Sequence, residues 1–165
     1  MCIRDRYQKG SWVLHMLRHR VGTETFWDGI RRYYARYYNE HATTAQFRAV
    51  MEEVSGQDLE LFFQQWLYQG SAGLILEGSW TYAAPAPGAE SGTVELDLAQ
   101  VQPGGTTFTM PVTLRLTGAD GTTADHTVEL SEERQTVSLA SDFAPVSIVI
   151  DPDVWLMVRG ELSAR

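Results

Sequence analysis

The chain is almost without cysteine: one residue, Cys2, in 165. A disulfide framework and a cysteine-ligated metal site are thereby excluded from its body. It also has no apolar run approaching the roughly 20 residues that a bilayer-spanning helix requires, and its first residues, Met1-Cys2-Ile3-Arg4-Asp5-Arg6, lack the apolar stretch of a secretory leader. Positive charge is scarce in the second half. Residues 1–70 carry nine Lys/Arg against eight Asp/Glu, whereas residues 71–165 carry four against thirteen. Phosphate backbones would be repelled by that half, so nucleic acid is not an expected partner. The acidic half reads as a solubilising surface. Internal repeats and a low-complexity linker are absent as well.

What remains is a body with 11% aromatic residues, enough large side chains for an ordinary core. Residues 1–6 match nothing that follows and resemble translated sequencing-adapter read-through. They are expected to be an artefact, with the native content starting at Tyr7.

From Tyr7 the apolar period is that of helices. Trp12, Val13, Met16 and Leu17 recur at three- and four-residue steps, predicting a helix over 7–20 that Gly22 ends as a C-cap. Thr23 is expected to cap a second helix reaching about Tyr38, with Phe26, Trp27, Ile30, Tyr33, Tyr34 and Tyr37 as its stripe. Thr44 is expected to cap a third over 45–54, and Asp58 a fourth carrying Leu59, Leu61, Phe62, Trp66 and Leu67. Beyond residue 73 the period changes to two. Strands are predicted at 74–82, 94–98, 108–116, 127–130, 136–139 and 146–150, with one more at 154–158. Ala119-Asp120-Gly121-Thr122 reads as a hairpin turn, and Pro111 as the sign of an edge or a bulge. The expected fold class is α+β, a four-helix unit over 7–70 followed by an antiparallel β-sandwich over 74–160.

Tyr7-Gln8-Lys9-Gly10 followed by Ser11-Trp12-Val13-Leu14-His15-Met16-Leu17-Arg18 resembles the Tyr-x-Lys-Gly segment of aminopeptidase N-like zinc peptidases. Thr43-Thr44-Ala45-Gln46-Phe47, Met51-Glu52-Glu53-Val54-Ser55-Gly56, Asp58-Leu59 and Phe62-Phe63-Gln64-Gln65-Trp66-Leu67 follow in the family's order. A lone Tyr-x-Lys-Gly is a weak signal; the ordered set spans nearly all of 7–70. Gln69-Gly70-Ser71-Ala72-Gly73 departs from the Gly-x-Pro step of many relatives. The resemblance implies that 7–70 closes a thermolysin-like catalytic domain and that the sandwich is the β-domain after it. It implies peptide substrates, removal of N-terminal residues, and one zinc held by two histidines and a glutamate upstream of Tyr7. It also implies that Tyr7 donates a hydrogen bond to the oxyanion formed at the scissile carbonyl. A phenol with pKa near 10 stays protonated at neutral pH and suits that task. Gly10 is expected to allow close backbone packing beside the site. The chain alone is then an inactive fragment. The alternatives are a non-catalytic β-sandwich binding module with a helical adaptor, or a catalytically dead paralogue.

Other candidates read as structural. His15 and His19 lie four apart on one helix face, as in H-E-x-x-H, but Met16 stands where the glutamate would be and no third ligand follows at a related spacing. Glu52 and Glu53 are adjacent and so do not face each other on a helix. The tyrosines at 33, 34, 37 and 38 have helical spacing and read as core and subdomain interface.

Overall fold

The computed structural model describes residues 3–69, 73–88 and 90–165, with the side chains of residues 3–7 outside the description. It forms two compact units: Met1–Ser71 together with Trp155–Met157, and Ala72–Val154 together with Val158–Arg165.

In the helical unit, α1 (Ile3–Val21) buries Val13, Met16, Leu17 and Val21 along one stripe. Gly22 ends it, with φ 89° and its N–H donated to the Arg18 carbonyl at 3.0 Å. The same glycine begins α2 (Thr23–Arg36), whose first residue, Thr23, does not cap it. Thr43, one residue before the expected cap, opens α3 (Thr44–Ser55). Its hydroxyl accepts from the Gln46 N–H at 3.3 Å while its own N–H donates to Gln46 Oε1 at 2.8 Å, a reciprocal capping box. The glutamine three residues on selects Thr43 over Thr44. Gly56 closes α3 in the left-handed conformation, φ 66°. Asp58 Oδ1 accepts from the Glu60 N–H at 2.8 Å at the start of α4 (Glu60–Phe63).

The fourth helix does not continue as a regular α-helix. Gln64–Gln69 is a π-helical stretch. Phe62, Phe63, Gln65 and Trp66 are all buried, a wider arc than an ordinary amphipathic α-stripe provides.

Among the described residues the second unit holds seven strands in two sheets. One has the order β5-β2-β1-β7, with β1 (Leu74–Ala83), β2 (Gly92–Gln100), β5 (Arg134–Ser141) and β7 (Val158–Ala164). The other has the order β4-β3-β6, with β3 (Met110–Gly118), β4 (Thr123–Leu130) and β6 (Pro145–Ile150). Alternation supplies the core: Leu74, Leu76, Val94, Leu96, Leu98, Val112, Leu114 and Leu116 are buried, each removal from water contributing roughly 1.5–3 kcal/mol. The hairpin expected at 119–122 joins β3 to β4, with the Thr122 N–H on Asp120 Oδ1. Pro111 sits where β3 pairs with β4 only, because β6 covers just Leu114 to Gly118; the proline is at a local edge, and the register shift falls at Thr117/Gly118.

Two strand expectations are corrected. The pairing is antiparallel except for β1 with β7, which is parallel. The last strand runs from Val158 to Ala164, not over 154–158. The chain turns first, with Asp151 at φ 48°, Val154 at φ 55° and the Val154 N–H on the Asp151 carbonyl. Trp155–Met157 then belongs to the helical unit.

Candidate functional site

Helix α1 is where the sequence places its chemistry. Tyr7 lies within it, and its side chain falls outside the described residues. Further along the helix Ser11 and Leu14 are exposed. Lys9, two residues on, is partly buried, and that desolvation pulls its ammonium below the usual lysine value. Gly10 does not show the close approach expected of it: among the described residues nothing lies within 4 Å of the place a Cβ would occupy.

The histidine pair has a definite packing role. His15 stacks on Trp155 at 4.9 Å between ring centroids and 13° between planes, and His19 at 4.4 Å and 15°. Trp12 meets His15 edge-on at 5.6 Å. The Arg18 guanidinium lies 5.8 Å from the Trp155 ring centroid, while its Nε is buried without a hydrogen-bond partner among the described residues. The Met157 N–H donates to Met16 Sδ at 3.4 Å. Thus Trp155–Met157 grips one turn of α1. Sequence pattern missed this, reading Trp155 as a strand residue; the Asp151-Pro152-Asp153 break just before it was the available signal.

Among the described residues there is no group of three or more His, Cys, Asp or Glu arranged to hold a metal ion. With Met16 between two rings already stacked on tryptophan, the donors of α1 do not fit a catalytic zinc. Glu52 and Glu53 diverge. Glu52 Oε1 accepts from the Leu59 N–H at 3.0 Å and lies 3.6 Å from Arg48. Glu53 pairs with Arg36 at 2.9 Å and Arg32 at 3.6 Å. Both tie helices together. The tyrosines divide as well. Tyr33 packs on Phe47 at 5.1 Å and Tyr37 at 5.3 Å, whereas Tyr34 and Tyr38 touch each other and stand 65% and 59% exposed. Trp27, at 48%, continues that outer stripe one helical repeat earlier. Two of the four tyrosines expected at core or interface are therefore exposed.

The comparisons with known proteins place a helical unit followed by a two-sheet sandwich beside aminopeptidases. Residues 4–66 match the model of the "Peptidase family M1 domain". "Aminopeptidase N" of Lactococcus lactis is 33% identical over 63 residues, which are 38% of this chain and 7% of that protein. "Aminopeptidase N" of Caulobacter vibrioides is 32% identical over 80 residues, 48% of this chain and 9% of that protein. The crystal structure of Legionella pneumophila aminopeptidase A in complex with aspartic acid superposes with a TM-score of 0.69 at 16% identity, covering 93% of this chain and 17% of that one. Residues 4–66 are thus M1 aminopeptidase-like in sequence, and 93% of the chain shares the fold of the Legionella aminopeptidase. It spans less than a tenth of the length of the curated relatives it matches.

Proposed function

We propose that this chain is the tyrosine-bearing part of a zinc-dependent metalloaminopeptidase that removes N-terminal residues from peptides. The observation that carries this is the ordered helical segment, Tyr7-x-Lys9-Gly10 through Trp66, within the span that matches the M1 family. In this reading Tyr7 holds its proton and donates it in a hydrogen bond to the oxygen that gains charge at the scissile carbonyl. One such donor is typically worth about 3–4 kcal/mol of barrier. Zinc and the glutamate that activates its water are assigned to residues outside this chain, since the described residues here offer no fitting donor set.

The exposed Trp27, Tyr34, Tyr38, Leu61 and Tyr68 support the fragment reading, because a helical unit of this size rarely leaves so much aromatic surface in water without a partner. The isolated 165-residue chain is expected to leave an aminoacyl-p-nitroanilide intact with or without added zinc. Zinc-dependent release of nitroaniline by it would sink the fragment reading.

A second reading is favoured by one feature of the sandwich. Its four-stranded sheet carries an open cleft of about 710 Å³ lined by Glu77, Asp97, Glu132, Arg134, Thr136 and Arg165 among others. A non-catalytic binding module would use such a surface. Sequencing the gene upstream of Tyr7 separates the two: an H-E-x-x-H followed by a glutamate supports the peptidase, and an open reading frame without it supports the module or a dead paralogue.

A further inference from the structure

We propose that Trp155 is a positioning residue for Tyr7, acting through His15 and His19 to fix the roll and axial setting of α1. The inference rests on the peptidase reading and adds to it a role for a residue far away in sequence.

The argument starts from how α1 is held. Its stripe of Val13, Met16, Leu17 and Val21 seats it on the helical core. An apolar stripe fixes a helix's roll less sharply than directional contacts do, because apolar contact is non-directional. Ser11 and Leu14 are exposed, and the face away from the stripe carries His15 and His19. The contacts that resist rocking are directional ones, and they come from the Trp155–Met157 segment. The indole lies within about 15° of parallel to two imidazoles one turn apart, with centroids 4.9 and 4.4 Å away. The Arg18 guanidinium lies over the same ring, and the Met157 N–H reaches Met16 Sδ. Rolling the helix would break the two stacks; sliding it would carry both rings off the indole.

The backbone before Trp155 points the same way. Val154 holds φ 55°, a left-handed conformation that a β-branched side chain adopts only where surrounding contacts impose it.

The magnitude matters for catalysis. Tyr7 is two turns from His15, about 12 Å along a stiff rod. A roll of about 10° moves a side-chain tip 5–6 Å from the axis by about 1 Å. A misplacement of that size can cost about 100-fold in rate. A hydrogen-bond donor to an oxyanion is useful only within a few tenths of an ångström.

The test uses this chain and the full-length protein encoded by its gene. In this chain, W155A should remove the ring-current shifts of the His15 and His19 imidazole protons and speed amide exchange through residues 8–19. W155F should keep both, and the amides of α3 should be unaffected. In the full-length protein, W155A should lower kcat for an aminoacyl reporter about 10- to 100-fold with KM within about twofold. W155F should restore kcat to within about threefold, and the double variant H15L/H19L should reproduce the W155A loss while keeping the fold. Unchanged imidazole shifts in W155A, an unchanged kcat in an active enzyme, or a loss confined to KM would each overturn the proposal. A wild-type full-length protein without peptidase activity would instead overturn the functional reading, and the proposed role toward Tyr7 with it. Altered shifts and exchange would then remain as a structural contact only.

Discussion

Two helical glycines sit in opposite surroundings, and the difference is measurable. At Gly29 a Cβ would meet Met51 Sδ at 2.5 Å and the Val54 side chain at 3.2 Å, so α2 and α3 approach each other over a missing side chain. Gly29→Ala is expected to destabilise the helical unit by about 1–3 kcal/mol, the usual cost of overpacking a filled core, read from urea unfolding. At Gly10 the space is open among the described residues, and alanine is the better helix former by about 1 kcal/mol. Gly10→Ala should therefore stabilise the isolated chain by up to about 1 kcal/mol. On the proposed peptidase reading, the same change in the full-length protein should lower activity. An equal stability gain in both, with activity kept, would remove Gly10 from the site. Neither environment was legible in sequence. Both are glycines inside helical patterns, and only the three-dimensional neighbour tells them apart.

At the scale of elements, local chemistry was the best guide. The caps at Gly22 and Gly56, the switch of period after residue 73 and the 119–122 hairpin depend on residues close together in sequence, and they were readable there. The Thr43/Gln46 box corrected a cap by one residue, and Thr43→Ala is expected to cost about 1 kcal/mol, measured by thermal unfolding. What sequence concealed depends on distant partners. The parallel pairing of β7 with β1 aligns Gly160 with Leu76, and a Cβ at Gly160 would run into the Leu76 carbonyl. The Met157 contact with Met16 spans 141 residues, which no local pattern encodes. The sandwich also has a defined response to acid. Thr136 and then Arg165 hold Asp97 below the usual carboxylate range, the Thr122 N–H does so for Asp120, and Arg115 for Asp125. Carboxyls depressed on folding contribute stability that is complete above their unfolded values near 4 and is lost as pH falls through the lower folded values. The sandwich should therefore show a midpoint in urea that is flat above about pH 5 and falls below about pH 4. The double variant D97N/D125N should flatten that fall. A midpoint in the parent chain that does not change between pH 5 and pH 3 would contradict this account.

At the scale of the whole molecule, the two units differ in how completely they bury their apolar surface. The sandwich encloses Phe108 and the alternating leucines of β1, β2 and β3, whereas the helical unit exposes Trp27 and Tyr34 on α2 and Tyr38 just beyond it. The isolated chain should bind an apolar dye such as anilinonaphthalene sulfonate. The triple variant W27S/Y34S/Y38S should abolish most of that binding with little change in the unfolding temperature. If dye binding persists, the exposed row is not the sticky surface. The central claim, though, concerns Tyr7, whose assignment comes from the ordered motif around it. In the full-length protein, Tyr7→Phe removes one hydroxyl and nothing else. The account predicts that kcat for an aminoacyl substrate falls about 10²- to 10³-fold while KM stays within about twofold. A kcat for Tyr7→Phe equal to that of the parent enzyme would contradict it.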